Sequence, residues 1–299
     1  MRSAAVIYRF DHAVVPVRDL DQALALWRDR LGFDACYGGK HSGAGTHNGI
    51  VRFGTDYIEL ISVLDRDAVL TRRNPNTDAL VTLLDRAEGG MLGFVLATDD
   101  IDAEAERFRQ LGLKDAFGPF PLERLRPDGK LLKWRLLSPR RGSWGTPWTT
   151  LIHWEVPDAE RLTWEEPGFH PNGAERITNL AIAIGDLEQG VHFYERELGL
   201  APIGLGKVPE LGARRASYLV GHTQIDLLAP VTAGPIASAI AAGDEKPWQV
   251  TIAVRDLEAA RRHLAEREVP HGPSPGTPGG ILIDPAAALG ARLVLVQSS

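Results

Sequence analysis

Glu59 stands in the middle of Tyr57-Ile58-Glu59-Leu60-Ile61, a run that otherwise reads as a buried β-strand. An isolated ionised carboxylate in an apolar interior is very costly unless it is paired, hydrogen-bonded or bound to a metal. Either Glu59 faces water or something positive meets it, so the question passes to the histidines. His12 follows Asp11 at a strand start, His153 lies between Ile152 and Trp154, and His41 and His47 sit in the Gly-rich stretch GGKHSGAGTH. That stretch lacks the Gly-Lys-Ser/Thr ending of a phosphate-binding loop. It reads as a mobile flap, with His47 an acid/base. In the run after it, Asn48 and Arg52 share a face opposite Val51 and Phe53. Asn48 offers amide hydrogen bonds. Arg52 either presents a fork to a carboxylate, phosphate or enolate, or snorkels to the rim.

The elements that must position these residues repeat four times. A short apolar strand ends at an Asp followed by Leu or Ile, and an amphipathic helix follows, in DHAVVPVRDLDQALALWRDRLGF, GFVLATDDIDAEAERFRQLGL, NLAIAIGDLEQGVHFYERELGL and QVTIAVRDLEAARRHLAEREVP. Asp19, Asp100, Asp186 and Asp256 are predicted N-caps, and Gly32, Gly112 and Gly199 predicted left-handed C-caps. Strand-like runs follow each helix, at Asp34–Gly38, Asn48–Phe53 and Tyr57–Val63 in the first unit and at Ala201–Leu205, Ala216–Val220 and Gln224–Ala229 in the third. Each unit reads β-α-β-β-β, and the four span residues 10–63, 91–157, 176–230 and 248–297. A helical spacer from Asp65 to Gly90 separates the first two units, and the Pro/Gly/Glu-rich EEPGFHPNGAE separates the halves. RPDG reads as a hairpin turn, with Arg126, Asp128 and Trp134 beside it. Trp144, Trp148 and Trp154 cluster around the last strand of the second unit.

The 299 residues suffice for two domains with real cores. The net charge of -6 is spread along the chain without a Lys/Arg-rich block, which argues against a nucleic-acid partner. Cys36 is alone, so no intrachain disulfide forms, and this fits a reducing compartment. The N-terminal apolar run Ala4-Ala5-Val6-Ile7 is too short for a signal-peptide core, and no stretch reaches membrane-spanning length. The expectation is a cytoplasmic protein whose partner is a small-molecule substrate, with no membrane association. Homodimerisation is left open.

The order of DHAVVPVRDL, GTHN, FGTDYIELI, RPDG and HPNGA along paired βαβββ units resembles the vicinal oxygen chelate superfamily, and within it the glyoxalase-like domain subgroup. The superfamily includes glyoxalase I, extradiol dioxygenases and bleomycin- or fosfomycin-resistance proteins. The resemblance covers most of the chain and is faintest in the fourth unit. It implies an α+β fold of four βαβββ modules paired into two open, cupped, barrel-like domains, over residues 1–157 and 176–299. It also implies metal ligands on the first and last strands of each module. Those slots hold His12, Gly93, Asn179 and Gln249 on the first strands, and Glu59, His153, Asp226 and Val294 on the last. The N-terminal half therefore offers His12, Glu59 and His153, with Gly93 leaving the fourth position vacant for substrate. Two imidazoles and a carboxylate suit zinc or non-haem iron, and manganese or nickel are alternatives. The C-terminal set reads as degenerate, and Asn179, Gln249 and Val294 argue against an orthodox extradiol dioxygenase.

The resemblance thus implies Lewis-acid isomerase or lyase chemistry on a small oxygenated substrate. His47 and Glu59 are the catalytic candidates, with Glu155 as a further base, and Asn48 and Arg52 are the substrate-binding ones. The alternatives are a non-catalytic small-molecule binding or resistance protein and a non-haem iron dioxygenase.

Overall fold

The structure is a computed structural model that describes residues 6–298; Ala4 and Ala5 of the N-terminal apolar run lie outside the described residues. The first unit comprises β1 (Ile7–Pro16), α1 (Leu20–Ala25), β2 (Ala35–His41), β3 (Thr46–Arg52) and β4 (Tyr57–Val63). The spacer is helical as expected, with α2 (Arg66–Arg72) and α3 (Pro75–Leu84). The second unit follows with β5 (Gly93–Thr98), α4 (Ile101–Gln110), β6 (Phe117–Leu125), β7 (Leu131–Ser138) and β8 (Thr150–Trp154), and α5 (Asp158–Arg161) lies in the connection. The third has β9 (Ala174–Ala183), α6 (Leu187–His192), β10 (Pro202–Val208), β11 (Ala213–Val220) and β12 (Thr223–Pro230), with α7 (Pro235–Ala241) after it. The fourth has β13 (Pro247–Val254), α8 (Leu257–Glu266), β14 (His271–Pro273), β15 (Ile281–Ile283) and β16 (Leu293–Gln297). Among the described residues no helix is long and apolar enough to cross a membrane.

Local chemistry places the helices where the repeat predicts them. The carboxylates of Asp19, Asp100, Asp186 and Asp256 each accept a hydrogen bond from the first turn of the helix that follows. Such a cap contributes about 1 kcal/mol. In the first and third units the helix relaxes into a wider final turn, with Leu31 N–H donating to Leu26 O and Leu198 N–H to Phe193 O. Gly32 and Gly199 then take the left-handed conformation that ends it.

The two halves differ in closure. In the N-terminal half the strand order β1-β4-β3-β2-β6-β7-β8-β5 closes into a barrel, which corrects the expectation of an open cup. The closing contact is the antiparallel pairing of β2 with β6, through Lys40↔Leu125 and His41↔Arg124. Gly39 makes this approach feasible: a Cβ there would lie 2.2 Å from the carbonyl oxygen of Leu125. In the C-terminal half β10-β11-β12-β9-β13-β16-β15-β14 remains an open mixed sheet of eight strands. One large apolar core, formed by residues such as Trp27, Phe33, Phe94, Phe193, Tyr194 and Leu264, spans the helix-covered sides of both sheets. A smaller cluster that includes Val14, Leu92, Trp134, Ile152 and Trp154 fills part of the barrel interior.

Candidate functional site

The barrel encloses a cavity of about 80 Å³. His12, Tyr57, Glu59, His41, Asn48 and Arg124 reach it from β1, β4, β2, β3 and β6. Trp134, Trp154, Ile152, Phe120 and Leu122 supply apolar walls. Asn74, Asn76 and Thr77, at the start of α3, also line it, together with Trp144, whose backbone N–H donates to Asn76 Oδ1 at 3.2 Å.

Strand alternation places Tyr57, Glu59 and Ile61 on the inner face, as the sequence predicts, and Glu59 is 6 % exposed. The Glu59 carboxylate is met from three directions. Asn48 Nδ2 donates to Oε1 at 2.6 Å, His41 Nε2 lies 3.6 Å from Oε1, and His12 Nε2 lies 3.7 Å from Oε2. Asn48 is thus inside the cavity, where it orients Glu59 and also donates towards His41 Nε2 at 3.3 Å. Burial pushes the His41 imidazole down to about 4, against the opposing charge of Glu59, so the ring is neutral at pH 7. Its Nδ1 is paired with Thr46 Oγ1 at 2.8 Å.

Behind His12 lies a residue that parity alone would turn away from the site. The β1–β5 register slips between Phe10 and His12, so Asp11 is the extra residue of a β-bulge. Its fully buried carboxylate pairs with His12 Nδ1 at 2.7 Å and accepts from Arg9 Nη1 at 2.6 Å and Trp154 Nε1 at 2.8 Å. Burial would raise the Asp11 carboxyl, but Arg9 and the bond from His12 outweigh it and hold the group well below the usual carboxylate range. Asp11 therefore holds a proton on His12 Nδ1 and turns Nε2 towards Glu59. This is the arrangement that supports a metal-ligating imidazole. The His12 ring also stacks on Tyr57, with centroids 4.5 Å apart.

Several predicted residues lie elsewhere. His153 does not line the cavity, although its neighbours Ile152 and Trp154 do, and its Nδ1 pairs with Thr98 O at 3.1 Å. Val95 pairs with Thr150 as Val14 pairs with Glu59, so the residue equivalent to Glu59 in β8 is Thr150. The predicted register was off by three, and an odd slip turns a strand's side chains to the opposite face. His47 also points outward, its ring edge-on to Tyr37 at 6.0 Å, because GGKHSGAGTH is a β2–β3 hairpin rather than a flap. Its inward residues are His41, Thr46 and Asn48. Gly93 leaves no vacancy, since a Cβ there would meet Trp144 Cδ1 at 2.5 Å. Glu155 is exposed beyond the end of β8.

Arg52 is buried under the cavity without lining it, and its Nη2 donates to Glu165 Oε2 at 2.8 Å. Glu165 comes from the segment that follows α5 and also receives Arg124 and Arg126, with Arg161 Nη1 3.7 Å away. Burial would raise the Glu165 carboxyl, but these arginines overcome it and lower it. In the C-terminal half Asp226 takes the register of Glu59 as predicted, opposite Ala181 on β9. It accepts from Ser217 Oγ at 2.5 Å, Gln224 Nε2 at 2.8 Å and Asn179 Nδ2 at 2.9 Å, which engages the carboxylate inside the fold.

As it stands, no group of three or more His, Cys, Asp or Glu side chains among the described residues is placed to hold a metal ion. The donor chemistry of the cavity nevertheless fits one. His12 Nε2 and Glu59 Oε2, 3.7 Å apart, are within the span of two ligands bound about 2.0–2.2 Å from a shared zinc ion.

The description "Glyoxalase-like domain" matches residues 10–184, and "Glyoxalase/Bleomycin resistance protein/Dioxygenase superfamily" matches residues 179–282. No curated protein matches the chain. Among solved structures, a hypothetical protein from Staphylococcus aureus aligns over 97% of this chain and 99% of its own, at 16% identity and a TM-score of 0.71. A mutant 4-hydroxymandelate synthase from Streptomyces coelicolor aligns over 97% of this chain and 92% of its own, at 15% identity and a TM-score of 0.62. At such identities the likeness is one of fold. Proteins of this superfamily bind small molecules and usually a divalent metal. With the first family description covering residues 10–184, more than half of its length, the chain belongs to the glyoxalase-like domain family of the glyoxalase/bleomycin resistance/dioxygenase superfamily.

Proposed function

We propose that the chain is a metal-dependent enzyme acting on a small oxygenated organic molecule within the N-terminal barrel, by isomerase- or lyase-type chemistry. The observation that carries this reading is the approach of His12 Nε2 and His41 Nε2 to one buried carboxylate, at 3.7 and 3.6 Å, with Asp11 bracing the far side of the His12 ring. His12 and Glu59 are the residues that would hold the ion, with His41 as the third donor in place of His153. Zinc, manganese, nickel or iron, when bound, would stabilise a developing enolate or oxyanion.

The side chains account for the remaining requirements. Asp11 keeps the His12 proton on Nδ1, and Asn48 fixes Glu59 by donating to Oε1, which leaves Oε2 turned towards His12. Trp134, Trp154 and Tyr57 keep bulk water from the cavity. The same apolar walls would also suit a non-catalytic binder, and a set of two imidazoles and a carboxylate would also suit an oxygen-activating iron enzyme.

Metal content by mass spectrometry on protein purified without an affinity tag separates these readings. Near-stoichiometric metal is expected in the wild type and in H153A, with loss in the H12A/E59Q double variant and weakened retention in H41A. Wild-type protein that takes up no zinc, manganese, nickel or iron(II) on reconstitution would refute the metalloenzyme. Iron alone, with oxygen consumption, would favour the oxygen-activating alternative.

A further inference from the structure

A second concavity, of about 700 Å³, lies outside the barrel and between the two halves. It opens between the connection from α3 to β5 on one side and the segments leading into β13 and β16 on the other. The two backbones meet there: a Cβ on Gly290 would lie 2.9 Å from Gly89 O, and one on Gly89 would lie 2.6 Å from Leu289 O. Arg86 and Arg292, one from each half, stand within three residues of this contact, and both line the cleft. Lys246 is the third cation of the lining, and Asp244 is its one carboxylate. Asp244 is taken by Lys246, at 2.8 Å. The other acids along these segments are engaged as well. Asp85 pairs with Arg66 and Glu88 with Arg18, each at 2.8 Å. Glu245 accepts from Gly185 N–H at 2.7 Å, and Asp284 from Ala286 N–H at 2.9 Å. Arg86 and Arg292 are therefore left without an ion-pair partner among the described residues, a local positive surplus in a chain of net charge -6.

Arg86 is exposed to water, whereas Arg292 is half-buried. The Arg292 guanidinium lies 4.1 Å from the centre of the Trp248 ring, and its Nε donates to Gln249 Oε1 at 3.2 Å. These two contacts fix the plane of the group, while Nη1 and Nη2 make no hydrogen bond among the described residues. Burial lowers its hold on its proton, and no carboxylate opposes the shift. A half-buried cation of this kind favours an anion from solution. The geometry points to a binding site for a phosphate monoester, its phosphoryl group on Arg292 and Arg86 and its organic body along Leu83, Met91 and Trp144. Two uncompensated guanidinium groups match the charge of about -1.5 to -2 on such a group near pH 7, where a carboxylate would answer only one. The planar fork of arginine suits phosphoryl oxygens. The volume is in the range of about 300–1,000 Å³ that holds organic ligands, well beyond a bare phosphate. His12 and Glu59 do not line this cleft, so the site stands apart from the reading of the barrel.

The test compares phosphate esters with their uncharged parents. Adenosine monophosphate and glycerol phosphate are titrated by calorimetry against EDTA-treated wild-type protein, alongside adenosine, glycerol and inorganic phosphate. Each ester is expected to bind at least about tenfold more tightly than its parent alcohol, the range of a charge-assisted hydrogen bond. At least one ester should also bind more tightly than inorganic phosphate. Affinity for the esters should fall about tenfold or more in R292Q, fall less in R86Q, and stay unchanged in H12A/E59Q. Equal binding of ester and alcohol, or no binding of either ester at about 10 mM, overturns the inference, and these readouts need no variant to fold. Inorganic phosphate that binds as tightly as both esters overturns the assignment of an organic ligand. A folded R292Q protein with wild-type affinity for the esters overturns the site.

Discussion

Replacing Asp11 by Asn keeps the shape of a side chain that joins three partners and removes only its charge and one acceptor. Asp11 is fully buried and takes hydrogen bonds from Arg9, His12 and Trp154 at 2.6, 2.7 and 2.8 Å. An Asn has one acceptor oxygen. If it serves His12, its amide group faces the N–H donors of Arg9 and Trp154; if it turns, it faces His12 Nδ1–H. Arg9 keeps Asp158, at 2.9 and 3.0 Å, so its charge is not stranded. Breaking one partner of a buried charge pair typically costs 3–5 kcal/mol, and the remaining pair with Asp158 places the expected loss near the lower figure, about 3 kcal/mol. Equilibrium urea unfolding of EDTA-treated wild type and D11N at pH 7 measures it without metal. A second readout follows from the grip of Asp11 on the His12 ring: metal affinity should fall about 10–100-fold. A stability loss below about 1 kcal/mol, together with unchanged metal affinity, would refute the role assigned to the bulge.

Other substitutions probe separate parts of the structure. G93A should cost about 1–3 kcal/mol in thermal or chemical unfolding, because the new methyl would meet the Trp144 indole at 2.5 Å and force it to shift. G39A should cost at least as much and raise hydrogen exchange in β2 and β6, since its Cβ would meet the Leu125 carbonyl at 2.2 Å. His170 accepts from Asp34 N–H at Nδ1 and donates from Nε2 to Arg52 O, at 2.9 and 3.0 Å, and burial lowers its imidazole below 6.5. Its contribution is therefore complete above pH 6.5 and is lost as the pH falls from there through the folded-state value. Wild type should lose more melting temperature than H170N between pH 7.5 and 5.5.

Much of this architecture was legible in the alternation of side chains. The inward placement of Glu59 and Asn48, the matched register of Asp226 and the aspartate caps all follow from periodicities of two and 3.6. Where local pattern stopped being informative, the reading failed. β8 is only five residues long, TLIHW, and offers apolar residues on both faces, so a slip of three went unseen and His153 displaced Thr150. The bulge at Asp11 adds one residue to β1, which no alternation pattern reveals. His41 was hidden by glycines that suggest a loop, although Gly43 and Gly45 form only the tip of a hairpin, at φ 63 and 72°. For Arg52 the inward face was readable, but its counter-ion Glu165 stands 113 positions away. Long-range electrostatic partners of that kind leave no trace in spacing.

The seam between β2 and β6 gives the N-terminal half a property that its open counterpart lacks. Two residue pairs convert a sheet into a container, and one of them, His41↔Arg124, brings together the neutral imidazole beside Glu59 and the guanidinium beside Glu165. Assembly of the site is therefore all-or-none at the level of topology. No partial pairing puts these two groups on one wall, and the entropy of aligning them is spent once, during folding, rather than at each encounter with a ligand. The short ladder at the seam is also the place where breathing of the cylinder should cost least. The barrel thus has a single point of failure, and its chemical groups sit on both sides of it.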